Sequence, residues 1–233
     1  MAEQSVAISP VCDAPEGFST PDDSLDQFAA ALKSGEAVHI LAVGSGTTVG
    51  EVNGSPGTSF PYRMVEALRA ARPKVPFDLT VRGGRNMTAE EMLPLLEAEV
   101  HRRHYALVLW QTGTVEAVRG LRPDGMRTVL QTGVDTVREA GGDVVLIDQQ
   151  FSRFLRANTD LDPYVLAMQQ IAMLPGVVLF NRFELMRSWA GDGHIDLERV
   201  KKADRETAVT TLNICLGQTL ARFVLNGVED ASR

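Results

Sequence analysis

The chain has 233 residues, of which 44% are hydrophobic, which suits one α/β domain with a full core. A formal charge of −7, with 23 basic and 30 acidic residues mixed along the chain, leaves no stripe of Lys and Arg for phosphate backbones. Nucleic acid is therefore not an expected partner, and since the longest apolar runs are of strand length, no membrane span is expected either.

Residues 1–23 are rich in Ser, Pro, Asp and Glu and read as a flexible N-terminal arm without the basic and apolar regions of a secretory signal. With Met1 as the native start, the expected location is the cytoplasm. If Met1 replaces a removed signal, Ala2-Glu3-Gln4 suits the start of a mature periplasmic or otherwise exported chain. Asp23-Ser24 offers N-cap chemistry to a helix carrying Leu25, Phe28, Ala29 and Leu32 at helical spacing and stopped at Gly35. A strand over 37–43 then ends in the glycine-rich turn Gly44-Ser45-Gly46-Thr47-Thr48-Val49-Gly50.

The same rhythm repeats. Helices are predicted over 61–72 with Pro61 at N1, over 88–103 with the capping-box pattern Thr88-x-x-Glu91, over 124–140 and over 163–173. Strands are predicted over 77–81, 105–110, 143–147 and 177–180, and a last helix over 205–225 carries Leu212, Cys215, Leu216, Leu220 and Val224. Near-continuous Val/Ile/Leu runs joined by helical crossovers indicate a parallel sheet covered on both faces. The expected fold is a three-layer α/β/α sandwich with a five-stranded parallel sheet, flavodoxin-like, in one domain over 24–226 with a frayed tail over 227–233. Ligands of such folds bind at the carboxyl ends of the strands.

Cys12 and Cys215 are too far apart for a zinc or redox motif. The simpler reading is two unpaired thiols. The sharper one is a disulfide tying the arm to the last helix, which requires an oxidising compartment.

The strand-end segments carry a resemblance. The turn over 44–50 resembles the first block of SGNH, or GDSL-type, hydrolases. In the same order come Arg82-Gly83-Gly84, Trp110-Gln111-Thr112-Gly113-Thr114, Leu146-Ile147-Asp148-Gln149-Gln150-Phe151, Leu179-Phe180-Asn181-Arg182-Phe183, Met186-Arg187-Ser188-Trp189 and Asp204 before the last helix. Over about 24–226 the chain is similar to that family, which implies an ester-hydrolase fold.

The family's reaction uses a serine nucleophile, a histidine base three residues after an aspartate, and an oxyanion hole completed by a glycine and an asparagine. A hydroxyl needs a nearby base, and the tetrahedral intermediate needs preorganised donors. Position by position, the nucleophile falls on Gly46, preceded by Ser45, the asparagine on Val115, and the histidine on Thr207 three residues after Asp204. The second-block glycine falls on Gly83, Gly84 or Asn86. The resemblance thus implies the fold with only Asp204 left of the triad, so that the triple change Gly46→Ser, Val115→Asn and Thr207→His is expected to restore some hydrolysis. The expected cleft at Ser45, Gly46, Thr47, Gly84, Asn86, Gly113, Thr114, Val115, Glu116 and Thr207 binds a small acyl or carbohydrate ligand, or the surface docks a protein partner. The alternative is an ester hydrolase, for acyl esters or carbohydrate O-acetyl groups, using Ser45 as a non-standard nucleophile.

Other candidates have plain readings. His39 lies within a strand, His101 and His104 end a helix, and Asp192, His194 and Asp196 form a turn-rich loop with no second ligand group, so neither metal nor cofactor is expected. Glu116 and Asp204 form a glycosidase-type pair only if the fold brings them together. Gly83-Gly84-Arg85 has the makings of an anion site, with nothing in the sequence favouring that over a plain turn.

Overall fold

The computed structural model describes residues 6–15, 17–50 and 57–230. Its core is a five-stranded sheet in the order β2-β1-β3-β4-β5, formed by β1 (Val38–Gly44), β2 (Phe77–Gly83), β3 (Leu107–Gln111), β4 (Asp143–Ile147) and β5 (Val177–Phe180). Every neighbouring pair is parallel. Crossovers are supplied by α1 (Asp26–Lys33), α2 (Gly46–Val49), α3 (Phe60–Ala71), α4 (Ala89–Arg102), α5 (Thr114–Arg119), α6 (Pro123–Glu139), α7 (Arg153–Asn158), α8 (Asp162–Ile171), α9 (Arg182–Gly191) and α10 (Arg205–Asp230).

Strand alternation divides the core in two. Ile40, Ala42, Leu107, Leu109, Val145, Ile147, Val178 and Phe180 join one apolar cluster with α1, α3 and α10. Leu41, Val43, Val108, Trp110, Val144, Leu146, Val177 and Leu179 join the other with α4, α6 and α8. Both faces are covered, giving the three-layer sandwich that the strand pattern predicts. Burial of side chains as large as Trp110, Trp189 and Phe28, each less than 2% exposed, stabilises the fold by about 1.5–3 kcal/mol apiece.

The longest helix, α10, packs closely on α3. A Cβ at Gly217 would lie 2.7 Å from the Met64 nitrogen, so only glycine permits this approach. The stretch Lys202–Val228 is long and apolar enough to meet the length and hydropathy of a membrane span, which the reading of short apolar runs did not anticipate. With 56% of that window buried in the domain, it serves as a core helix.

Several boundaries differ from expectation for non-local reasons. The expected arm, of which residues 1–5 and 16 lie outside the described residues, lies on the domain: Cys12 is bonded to Cys215, and Val6 and Cys12 are buried. The Ser9 N–H donates to Gln218 Oε1 at 3.0 Å, and Trp189 Nε1 donates to the Asp13 carbonyl at 2.7 Å. The helix also runs beyond 226 to Asp230, because the Gly227 carbonyl accepts the Leu25 N–H at 3.1 Å and Val228 is buried. Asp23 does not cap α1. That service comes from Asp143 at the start of β4, whose carboxylate accepts the Phe28 N–H at 2.9 Å. Burial pushes the Asp143 carboxyl up to about 6.

Candidate active site at the strand ends

The turn after β1 is held by one acceptor. Gln111, buried at the end of β3, directs its Oε1 to Thr48 Oγ1 at 3.0 Å, the Ser45 N–H at 3.3 Å, Ser45 Oγ at 3.4 Å and Thr47 Oγ1 at 3.5 Å. An amide oxygen accepts hydrogen bonds and takes no proton at neutral pH, so Gln111 positions Ser45 without serving as its base. Ser59 Oγ closes the turn from α3 by donating to the Thr48 carbonyl at 2.7 Å.

Gly83 abuts this turn at the end of β2, paired with Gly44. Its φ of 126° is open to glycine, and a Cβ there would fall 1.8 Å from the Gly44 oxygen. Of the three second-block candidates it is the one locked against the first turn. Gly84 follows it, half-buried, whereas Asn86 is an exposed turn residue with φ 61° whose carbonyl accepts from Arg119.

After β3 the chain turns at Gly113 (φ 91°) into α5, bringing Thr114 and Val115 to half-buried positions. Glu116, 2% exposed, accepts the Ala89 N–H at the start of α4, the Thr112 hydroxyl at 2.8 Å and the Gly113 N–H at 2.9 Å. It is a structural cap, committed on both oxygens. The glycosidase-type pair is not formed: Asp204 is exposed in a 3-10 turn before α10.

At the end of β4, Asp148 is buried and accepts the Phe183 N–H at 2.9 Å, capping α9. Desolvation pushes its carboxyl up to about 7 against the pull of that N–H and of Arg182. Gln149 beside it is fully buried, and both its amide atoms lack a hydrogen-bond partner. Arg182, the first residue of α9, is 2% exposed. Its Nη1 donates to Thr47 Oγ1 at 3.3 Å, its guanidinium lies 5.6 Å from the Phe60 ring centre, and its Nε has no partner. Burial lowers its pKa to about 10, which leaves it charged.

A cleft of about 710 Å³ opens between this turn and α10. Gly46, Thr47 and Arg182 form one wall, and Lys202, Arg205 and Glu206 stand on the other. Ser45, Val115, Asp204 and Thr207 are not part of its lining. Thr207 is exposed on the first turn of α10, where the positions that line the cleft are 205, 206, 209, 212, 213 and 216. Of the three aligned triad and oxyanion positions, the fold brings Gly46 to the cleft and leaves Val115 and Thr207 off it.

All four histidines are described, and none lines the cleft. His39 pairs with Asp78 at 3.1 Å, His104 contacts the Gly141 carbonyl at 3.0 Å, and His101 and His194 are exposed. Asp196 is bound to Arg153 at 2.9 Å, and among the described residues no three His, Cys, Asp or Glu side chains converge as metal ligands. Gln111, Asp148 and Arg182 were quoted in the sequence blocks without a role. Their signal is a polar residue at, or within two residues beyond, the end of an apolar strand.

A parallel sheet in this order, with its turn after β1 meeting the last helix across a cleft, matches the α/β fold of SGNH hydrolases. The chain belongs to the Non-GDSL lipase-like family, whose model matches residues 11–230. Among solved structures it is similar to TesA, at 18% identity and TM-score 0.61 over 78% of this chain and 97% of that one. It is also similar to the psychrotrophic esterase EstA from Pseudoalteromonas sp., at 15% identity and TM-score 0.61 over 81% and 99%. A two-domain esterase active on acetylated mannans gives 15% identity and TM-score 0.65 over 89% of this chain and 55% of that one. No curated protein sequence matches.

Proposed function

We propose that the chain is an SGNH-fold protein that binds a small acyl or carbohydrate ligand in the cleft beside the β1 turn without serine-based ester hydrolysis. The observation that carries this reading is the absence of an imidazole: none of the four histidines lines the cleft. Gly46 offers no side chain to attack with, and the Ser45 hydroxyl is held by Gln111 outside the cleft lining. In related serine chemistry, loss of nucleophile or base alone costs on the order of 10⁶ in turnover. The buried, unpartnered Nε of Arg182, a residue of the cleft lining, favours a site that still receives polar groups. The Cys12–Cys215 bond supports an oxidising, exported location over the cytoplasm.

The rival reading, an esterase using Ser45, draws on the esterase activity of the structural relatives. Turnover of p-nitrophenyl acetate separates the two. Under the binding reading the wild type is no faster than Ser45→Ala, whereas a rate that falls with this substitution establishes Ser45 as the nucleophile.

A further inference from the structure

The described lining of the cleft has a charge opposite to that of the whole molecule. In a chain of formal charge −7, its lining carries Arg182, Lys202 and Arg205 against Glu206 as the one carboxylate among the described residues. Arg182 is the built part of this site. The residue is 2% exposed, and among the described residues no ion pair joins its guanidinium to a carboxylate. Its Nε is unpartnered, and its hydrogen bond to Thr47 Oγ1 places its Nη1 end beside a residue of the cleft wall.

A buried guanidinium is costly unless an anion or a set of acceptors compensates it. Asp148, the acid whose field reaches Arg182, directs its carboxylate to the start of α9 and forms no ion pair with it. Thr47 and the Phe60 ring supply one neutral acceptor and one π face, which leaves most of the fork free. Across the cleft, Lys202 and Arg205 are exposed and make no ion pair among the described residues. A volume near 710 Å³ suits a small molecule.

Deepening the binding reading on which it rests, we propose that the cleft takes a small molecule through an oxyanion, a carboxylate or phosphate, seated between Arg182 on one wall and Lys202 and Arg205 on the other. Arg182 provides planar, oriented donors, and the two exposed cations draw the anion in. Glu206 opposes binding and favours ligands that also carry a hydroxyl or amide donor.

Calorimetric titration at constant ionic strength with inorganic phosphate and with galacturonate, against galactose as the uncharged control, tests the site. The expected result is saturable binding of at least one anion, which also tells phosphate from carboxylate, with no binding of galactose. Lys202→Glu combined with Arg205→Glu changes exposed positions, preserves the fold and weakens binding at least tenfold. Glu206→Gln tightens it severalfold. Arg182→Gln abolishes it in a protein whose near-UV spectrum is native. Failure of both anions to bind, or binding untouched by the double charge reversal, overturns the proposal. If both anions fail while an acetylated xylo-oligosaccharide binds, the anion site is refuted and the binding reading stands. If anions bind to a protein that also hydrolyses p-nitrophenyl acetate through Ser45, the anion site stands and the non-hydrolytic reading falls.

Discussion

Removal of the Cys12–Cys215 bond by the double change Cys12→Ala and Cys215→Ala is expected to cost about 3 kcal/mol of global stability. The bond spans 203 residues, so the loop-entropy relation sets a ceiling of about 5 kcal/mol, and measured losses centre on about 2–4. The local structure explains why little compensates. The segment around Cys12 contains only a three-residue 3-10 turn, Pro10–Cys12, and besides the burial of Val6 and Cys12 is held by isolated hydrogen bonds, to Gln218 Oε1 and from Trp189 and Arg222. Without the bond the segment lifts, and the buried Trp189 indole loses its acceptor. Urea unfolding followed by tryptophan fluorescence, for oxidised wild type and the double variant, measures the loss directly. The expected fall in melting temperature is about 6–12 °C for a domain of this size. A double variant within about 0.5 kcal/mol of wild type refutes the view that this bond fastens the N-terminal segment to α10.

Glu116→Ala strands the Ala89 and Gly113 N–H groups and the Thr112 hydroxyl, and should destabilise by about 3 kcal/mol in the same urea assay; a loss below 1 contradicts the capping role. The raised carboxyl of Asp148 sets a pH dependence. The folded state holds its proton up to about pH 7 while the unfolded chain releases it near 4, so stability falls as pH rises across that window and is flat above it. The ceiling is about 4 kcal/mol, and Asp143, raised to about 6, acts in the same direction. Asp148→Asn should improve relative to wild type between pH 4.5 and 8; a difference that does not change with pH rejects the assignment. The triple change Gly46→Ser, Val115→Asn and Thr207→His should remain silent toward p-nitrophenyl acetate, because Val115 and Thr207 lie off the cleft lining. Hydrolysis by that variant shows that both side chains reach the new serine.

The sheet was readable from the sequence because strands buried on both faces, such as Leu107–Gln111 and Asp143–Ile147, need continuous apolar runs that loops do not tolerate. The helices that went unread are short, and their starts depend on distant partners. Asp148 opens α9 from 35 residues upstream, and Gln111 holds the start of α2 at Ser45 from 66 residues downstream. No local pattern encodes such pairs. The same holds for the segments around Cys12 and Gly227, which are fixed by the disulfide and by the Leu25–Gly227 contact.

At the site, Gly46 and Thr47 were legible because a glycine-rich turn after an apolar strand marks a loop. Arg182 was not, since an arginine after a strand looks like any solvated loop residue until the fold buries it. Thr207 illustrates a further limit. Alignment fixes which residue follows Asp204 by three, but the phase of α10 decides which face it occupies, and one residue of phase turns a side chain by about 100°.

The central claim, an SGNH fold whose serine is not a nucleophile, is tested most directly by treating the folded protein with a fluorophosphonate probe and locating any adduct by mass spectrometry. Ser45 donates to Gln111 and none of the four histidines lines the cleft, so no adduct is expected at Ser45 under conditions that label an active serine esterase to completion. Stoichiometric labelling of Ser45 contradicts the claim and makes the chain an esterase.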